Sequence, residues 1–216
     1  VISSLNEITD VVILGGLVGD PITKKYPKLS EEINNLGIKN CINVLNNKNL
    51  KKVIFISTCS NYGLIKNDEI ADEKFELKPL SLYAKAKVEI EKFILAKKND
   101  KIDYEPVILR FATAFGESPR MRFDLTINEF IFDLINEKKL MVYDPDTWRP
   151  YCHVLDLARS VVAVIKADDD KVAFEVFNVG NTKENYTKKM LVDEISKVIE
   201  GCEIKYVQKN EDPRDY

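Results

Sequence analysis

The chain has 216 residues, 45% hydrophobic and 31% charged, a make-up that fits an ordinary soluble globular chain and excludes disorder and fibre. Its 32 Lys and Arg against 35 Asp and Glu leave a net charge of −3, which gives no electrostatic footprint for nucleic acid. Apolar runs such as Val53 to Ile56 and Val161 to Ile165 fall far short of the ~20 residues that a membrane span needs, so no membrane partner is expected.

The first predicted element is a strand at Val11 to Leu14, a continuous apolar run closed by Gly15-Gly16, which reads as a strand buried on both faces of a parallel sheet. A helix is predicted from about Ser30 to Leu45, with Ile33, Leu36, Gly37, Cys41, Val44 and Leu45 at helical spacing. Val53 to Ile56 is a second buried strand, and it breaks into the polar run Ser57-Thr58-Cys59-Ser60-Asn61-Tyr62-Gly63 at the strand end where ligand sites form. Residues 64 to 80 read as loop. Ser81 is a fitting N-cap for a helix running to about Lys98, and Val107 to Leu109 is a third buried strand.

This strand–helix alternation implies right-handed crossovers and an α/β, doubly wound, Rossmann-type sheet. Beyond Gly116 the texture changes to short helices (about 125–136, 155–167 and 188–199) and short strands (140–143, 175–178 and 203–207). The expected organisation is residues 1–118 as the C-terminal part of a dinucleotide-binding domain and 119–216 as a smaller mixed substrate lobe, with 152–167 packing back on the first part. The chain begins with Val1 rather than Met and stops at Asp215-Tyr216 after a charged stretch, so both ends are read as cut. The cysteines, Cys41, Cys59, Cys152 and Cys202, are widely spaced with one histidine beside them, which supports neither a metal site nor a disulfide framework; they read as reduced thiols of a cytoplasmic protein.

Tyr83 and Lys87 are four apart on the predicted helix and share a face, which brings an ammonium near a phenol oxygen. A free tyrosine ionises near ~10, and a nearby cation lowers that toward the range in which it works as a base. The pair alone is weak, because 26 lysines make one such spacing expected by chance. Its neighbours add weight. Leu14-Gly15-Gly16, the Ser57 to Gly63 run, Leu109-Arg110-Phe111-Ala112-Thr113-Ala114-Phe115-Gly116 and Trp148-Arg149-Pro150-Tyr151-Cys152-His153-Val154-Leu155-Asp156 follow one another in order. With Tyr83 and Lys87 they resemble the extended short-chain dehydrogenase/reductases, and among them the NAD-dependent nucleotide-sugar epimerase/dehydratase family.

The resemblance implies a catalytic trio of Thr58, Tyr83 and Lys87. Tyr83 takes a proton from a sugar hydroxyl as hydride leaves for NAD or NADP, Thr58 hydrogen-bonds the same oxygen, and Lys87 holds the nicotinamide ribose. It implies cofactor contacts at Leu14, Gly15, Gly16, Leu17, Ser57, Tyr83, Lys87, Phe111, Ala112 and Thr113. It implies contacts to a nucleotide-diphosphate sugar at Thr58, Cys59, Ser60, Thr113, Arg120, Arg122 and Arg149. Apart from the resemblance, Thr58 also reads as a strand-end hydroxyl capping backbone, and His153 as a satisfied structural histidine.

Departures from the pattern are informative. Cys59-Ser60 stands where a family dehydratase has Asp-Glu, so epimerisation is favoured over dehydration, with a 4-ketoreductase or a non-catalytic dinucleotide-binding protein of the same fold as alternatives. No G-x-x-G-x-x-G or G-x-G-x-x-G occurs, and the first strand resembles the family's fourth, so the chain is expected to be a fragment lacking the glycine loop. A homodimer through the helices at 30–45 and 81–98 is the family's expectation.

Overall fold

The computed structural model describes residues 8–65 and 69–209; Val1 and Asp215-Tyr216, on which the two predicted cut ends rest, lie outside them. Strands β1 (Asp10–Ile13), β2 (Lys52–Thr58) and β3 (Glu105–Phe111) pair in parallel, and a later strand, Val176–Val179, adds to β3. Between β1 and β2 lie helices α1 (Asp20–Lys25), α2 (Pro27–Ser30) and α3 (Ile38–Leu45), the last two joined by a π-helical stretch, Glu31–Gly37. Between β2 and β3 lies α4 (Leu82–Ala96).

Alternation along β2 explains why helices cover both faces of this sheet. Val53 and Phe55, with Ile13 and Ile108, pack against Ile38, Ile42 and Leu45 of α3 and Ile90 and Ile94 of α4. Ile54 and Ile56, with Val107 and Leu109, face the other way onto α6 (Val154–Lys166) and α7 (Asp169–Val172) through Val164 and Val172. Successive strand side chains point to opposite faces, so a run without polar interruption must be covered twice. The fold is the doubly wound α/β class expected.

Three expectations are corrected. β1 is not buried on both faces: only Ile13 of its four residues is buried, and among the described residues it pairs with β2 alone, at the sheet edge. The helical face read at Ile33, Leu36 and Val44 is the outer one, each residue being 37–52% exposed. The inner face carries Ser30, Asn34, Ile38, Ile42 and Leu45. Two polar side chains sit there because Asn34 holds the backbone of Leu17, accepting from its N–H at 2.7 Å and donating to its C=O at 2.9 Å. Finally, the strand read at 175–178 is β7 (Val176–Val179) of the main sheet, not part of a separate lobe.

The remaining elements form the rim. β4 (Thr113–Phe115) pairs with β6 (Trp148–His153), which pairs antiparallel with β8 (Asn185–Thr187). β5 (Lys139–Tyr143) pairs with β9 (Glu203–Val207) under α5 (Thr126–Asn136) and α8 (Lys188–Ser196), around Phe130, Leu134, Val142 and Val192.

Candidate active site

The C-terminal end of β2 and the glycines after β1 meet the first two turns of α4. Ser81 caps that helix by accepting from the Ala84 N–H at 3.1 Å, which fixes where its first turn starts and so where Tyr83 projects. Lys87, one turn on, donates to the Ile56 carbonyl at 2.6 Å, two residues before Thr58. Its Nζ lies 4.6 Å from the Phe55 ring centre and 5.7 Å from that of Tyr83. Burial brings the Lys87 pKa down to about 8, opposed by the negative charge of Glu91. An ammonium has three N–H groups and the carbonyl engages one, so the cation is anchored without being used up.

Gly15, Gly16, Asn34, Tyr83, Ala86 and Lys87 line a narrow crevice. At Gly15 a side chain would meet nothing, so bare backbone faces open space there. At Gly16, with φ +144°, a Cβ would stand 2.7 Å from Asn34 Oδ1, so only glycine fits between the strand end and the Asn34 clasp. Leu14 and Leu17 contribute backbone to this turn; the Leu14 side chain is 63% exposed. Bare backbone, a phenol and an ammonium meet in this crevice, a donor set of the kind that suits a nicotinamide riboside, although the crevice itself has a volume of only about 10 Å³. After β1 the glycines Gly15, Gly16 and Gly19 lead into α1, a helix of six residues capped by Gly19 at φ +104°, but the G-x-x-G-x-x-G or G-x-G-x-x-G pattern that holds a pyrophosphate does not occur.

Thr58 ends β2 and pairs in register with Phe111 of β3, which brings those two predicted residues together. Its Oγ1 accepts from the Ser60 N–H at 3.1 Å and donates to Ser60 Oγ at 3.2 Å. The capping reading of Thr58 therefore holds. Thr113 opens β4 opposite Tyr151.

Several predicted residues turn elsewhere. Ser57 is buried, its hydroxyl bonded to Glu91 at 2.5 Å. Cys59 and Ala112 line a separate cleft of about 330 Å³ with Tyr62, Trp148, Asn178 and Asn181. Cys59 donates to the Arg110 carbonyl, and burial pushes its pKa up to about 12, so it is an inert thiol. Arg149 is 5% exposed within β6, and Arg120 is exposed on the loop before α5. Arg122 is half-exposed, forks onto Asp124 at 2.6 and 3.0 Å, and lies within electrostatic reach of Tyr83. His153 is structural as expected: its Nδ1 accepts from the Leu155 N–H, capping α6, and its ring packs edge-on against Phe115.

Sequence reading missed the polar assembly beneath this site. Glu91 and Arg110, 1% and 4% exposed, form an ion pair at 2.6 Å, and Arg110 continues to Tyr62 at 2.9 Å. The available signal was the spacing of Glu91, one turn beyond Lys87 on the same face.

The profile of the NAD dependent epimerase/dehydratase family matches residues 1–180. The chain belongs to this family. An uncharacterised protein of Methanocaldococcus jannaschii is 27% identical over 178 residues, covering 82% of this chain and 53% of that protein. A UDP-glucuronate 4-epimerase of Thermodesulfobacterium geofontis is 24% identical over 193 residues, covering 89% of this chain and 57% of the other. The solved UDP-glucuronic acid 4-epimerase of Bacillus cereus, in complex with UDP-glucuronic acid and NAD, superposes with TM-score 0.84 at 23% identity, over 99% of this chain and 66% of that one. The chain thus spans about half the length of the curated relatives it matches. NAD is the cofactor of the family.

Proposed function

We propose that this chain carries the catalytic centre of a nucleotide-sugar epimerase that works by transient oxidation of a sugar hydroxyl to a ketone. One observation carries the reading: Tyr83 and Lys87 stand one turn apart at the mouth of a glycine-floored crevice, with the Lys87 ammonium clamped to the end of β2 beside Thr58. NAD, when bound, accepts the hydride and returns it.

In the forward step Tyr83, as phenolate, takes the hydroxyl proton while hydride leaves the same carbon. The Lys87 charge stabilises that phenolate, and Lys87 with the Gly15-Gly16 backbone would hold the nicotinamide riboside. Thr58 would donate to the reacting oxygen by exchanging its bond to Ser60. Return of the proton from Tyr83 and of hydride to the opposite face of the ketone completes epimerisation.

The turn after Thr58 offers Cys59 and Ser60 and no carboxylate, which supports epimerisation over loss of water. For the diphosphate, Arg122 is better placed than the buried Arg149, since a planar fork suits phosphate and Arg122 is held by an exposed aspartate, Asp124. The partner is accordingly a nucleotide-diphosphate sugar. Ile22, Tyr26, Leu29, Ile33 and Leu36 leave an exposed apolar stripe on the helices before α3, which supports pairing of two copies along that face. The open edge of β1 supports a further strand there, supplied by a longer polypeptide.

The test is Tyr83→Phe in the active polypeptide. Turnover should fall by ~100-fold or more while NAD affinity changes little, because only the proton relay is deleted. Retention of more than about a tenth of the activity would refute the assignment, by the same scale. Product mass after incubation with nucleotide hexoses separates the reactions: an unchanged mass is expected, and a product lighter by one water overturns the epimerase reading.

A further inference from the structure

We propose that Glu91, paired with Arg110, is a positioning residue of the active site that anchors the turn presenting Thr58 to the helix presenting Tyr83. The inference rests on the catalytic reading above and adds to it a part that never touches substrate. Glu91 accepts five bonds from three residues. Oε1 takes Ser57 Oγ at 2.5 Å, Asn61 Nδ2 at 2.8 Å and Arg110 Nε at 3.1 Å, and Oε2 takes Arg110 Nη2 at 2.6 Å and Nε at 3.2 Å. Asn61 also donates to Ser57 Oγ at 3.0 Å, so the residue before Thr58 and the residue three after it are tied to one carboxylate. Arg110 holds the same turn from β3: its Nη1 donates to Tyr62 Oη, and its carbonyl accepts from Cys59 Sγ.

Within Ser57–Tyr62, only Thr58 and Ser60 turn outward, and they bond to each other. Every inward side chain of the turn meets Glu91 or Arg110. Glu91 lies two helical turns beyond Tyr83 and one beyond Lys87 on α4, so the anchor belongs to the helix that bears the proposed base. A buried ion pair is a poor device for stability alone, since apolar side chains of similar volume pack as well or better. It is a good device for fixing register, because charged forks tolerate little displacement. Thr58 and Tyr83 must meet one substrate oxygen, and a misplacement of about 1 Å costs ~100-fold in rate.

The test compares wild type with Glu91→Leu/Arg110→Met, which removes both charges together and leaves neither unpaired. Cys59 is the reporter: 7% exposed beside its cleft and bonded to the Arg110 carbonyl, it should react slowly with a thiol reagent while the turn holds and faster when the turn opens. In the folded double variant, Cys59 should label at least about tenfold faster while Cys41, Cys152 and Cys202 change little; kcat should fall by at least about tenfold with KM near the wild-type value. Cys59 labelling and kcat both within about twofold of wild type would overturn the proposal, as would a parallel rise at all four thiols, which reports general destabilisation. Should the double variant not fold, Asn61→Leu removes one tie with both charges in place. A selective rise at Cys59 is again expected, and its absence overturns the anchoring. A wild-type polypeptide that turns over no nucleotide sugar refutes the proposed reaction instead, and the labelling ratio then decides the anchoring alone.

Discussion

Lys87 illustrates how one side chain couples folding to chemistry. Burial lowers its pKa to about 8 from 10.5, so folding pays to keep the ammonium at neutral pH. Below about pH 8 both folded and unfolded chains are protonated and the penalty is complete. Between about 8 and 10.5 the unfolded chain binds more protons than the folded one, so the penalty fades as pH rises. Lys87→Met should therefore gain its greatest advantage over wild type near pH 7, an effect on the order of 1–3 kcal/mol before the lost bond to Ile56 is counted. The difference in unfolding free energy between variant and wild type should shrink steadily from pH 8 to 10. Denaturant titration across that range checks it; a constant difference would mean that the charge is not desolvated. Gly63 is a second residue-scale case. Its φ is +75° and a Cβ would stand 2.1 Å from the Lys78 carbonyl oxygen, so the loop leaving the Ser57–Tyr62 turn can pass only over glycine. Gly63→Ala should cost at least ~2 kcal/mol by urea unfolding, from strain at that position.

At the scale of elements, legibility followed burial. β2 and β3 were visible because Val53 to Ile56 and Val107 to Leu109 are buried on both faces and cannot be mistaken for an amphipathic pattern. Helix α4 was visible through its Ser81 cap. The helix before β2 was found but its inner face was misread, since Ser30 and Asn34 occupy core-facing positions while Ile33 and Leu36 face outward. Periodicity assigns the core to apolar residues and has no means of seeing Asn34 clasping Leu17 across 17 residues. Thr58, Tyr83 and Lys87 were singled out by motif, whereas the Glu91–Arg110 pair was not, because a buried charge is recognisable only from its partner. Lys52 is hidden for the same reason. It opens β2, is 4% exposed, and donates to the Ala167 carbonyl at 2.9 Å after α6 while pairing with Asp169 of α7 at 2.7 Å. A cation there complements the C-terminal end of α6. Lys52→Met should lower stability by ~1–3 kcal/mol in a urea titration, through the lost charged hydrogen bonds, and protect α7 less from amide exchange. No loss would show that the contact is incidental.

For the molecule as a whole, the main sheet ends at β1 among the described residues, and the proposed cofactor crevice lies beside that edge. Dinucleotide affinity is strongest where backbone N–H groups at a helix N-terminus meet the pyrophosphate. No G-x-x-G-x-x-G or G-x-G-x-x-G occurs in the 216 residues, and the contacts proposed for the riboside are those of Tyr83, Lys87 and the Gly15-Gly16 backbone. Contacts of that kind, without the pyrophosphate, correspond to dissociation constants near ~1 mM or weaker, about 4 kcal/mol of binding. The 216-residue chain alone should therefore show no measurable heat when titrated with NAD at micromolar concentrations. The edge of β1 and the apolar stripe from Ile22 to Leu36 should make it elute from a sizing column larger than a monomer, or as aggregate. Masking β1 alone would not suffice to restore affinity, because the missing contribution is the anion site and not sheet stability. Supplying a strand and glycine turn in the same polypeptide should restore both NAD binding and a defined elution volume. A monodisperse 216-residue chain with micromolar NAD affinity would overturn this expectation and place the pyrophosphate on residues of this chain outside any G-x-x-G-x-x-G pattern, the Gly15–Gly19 turn before α1 among them.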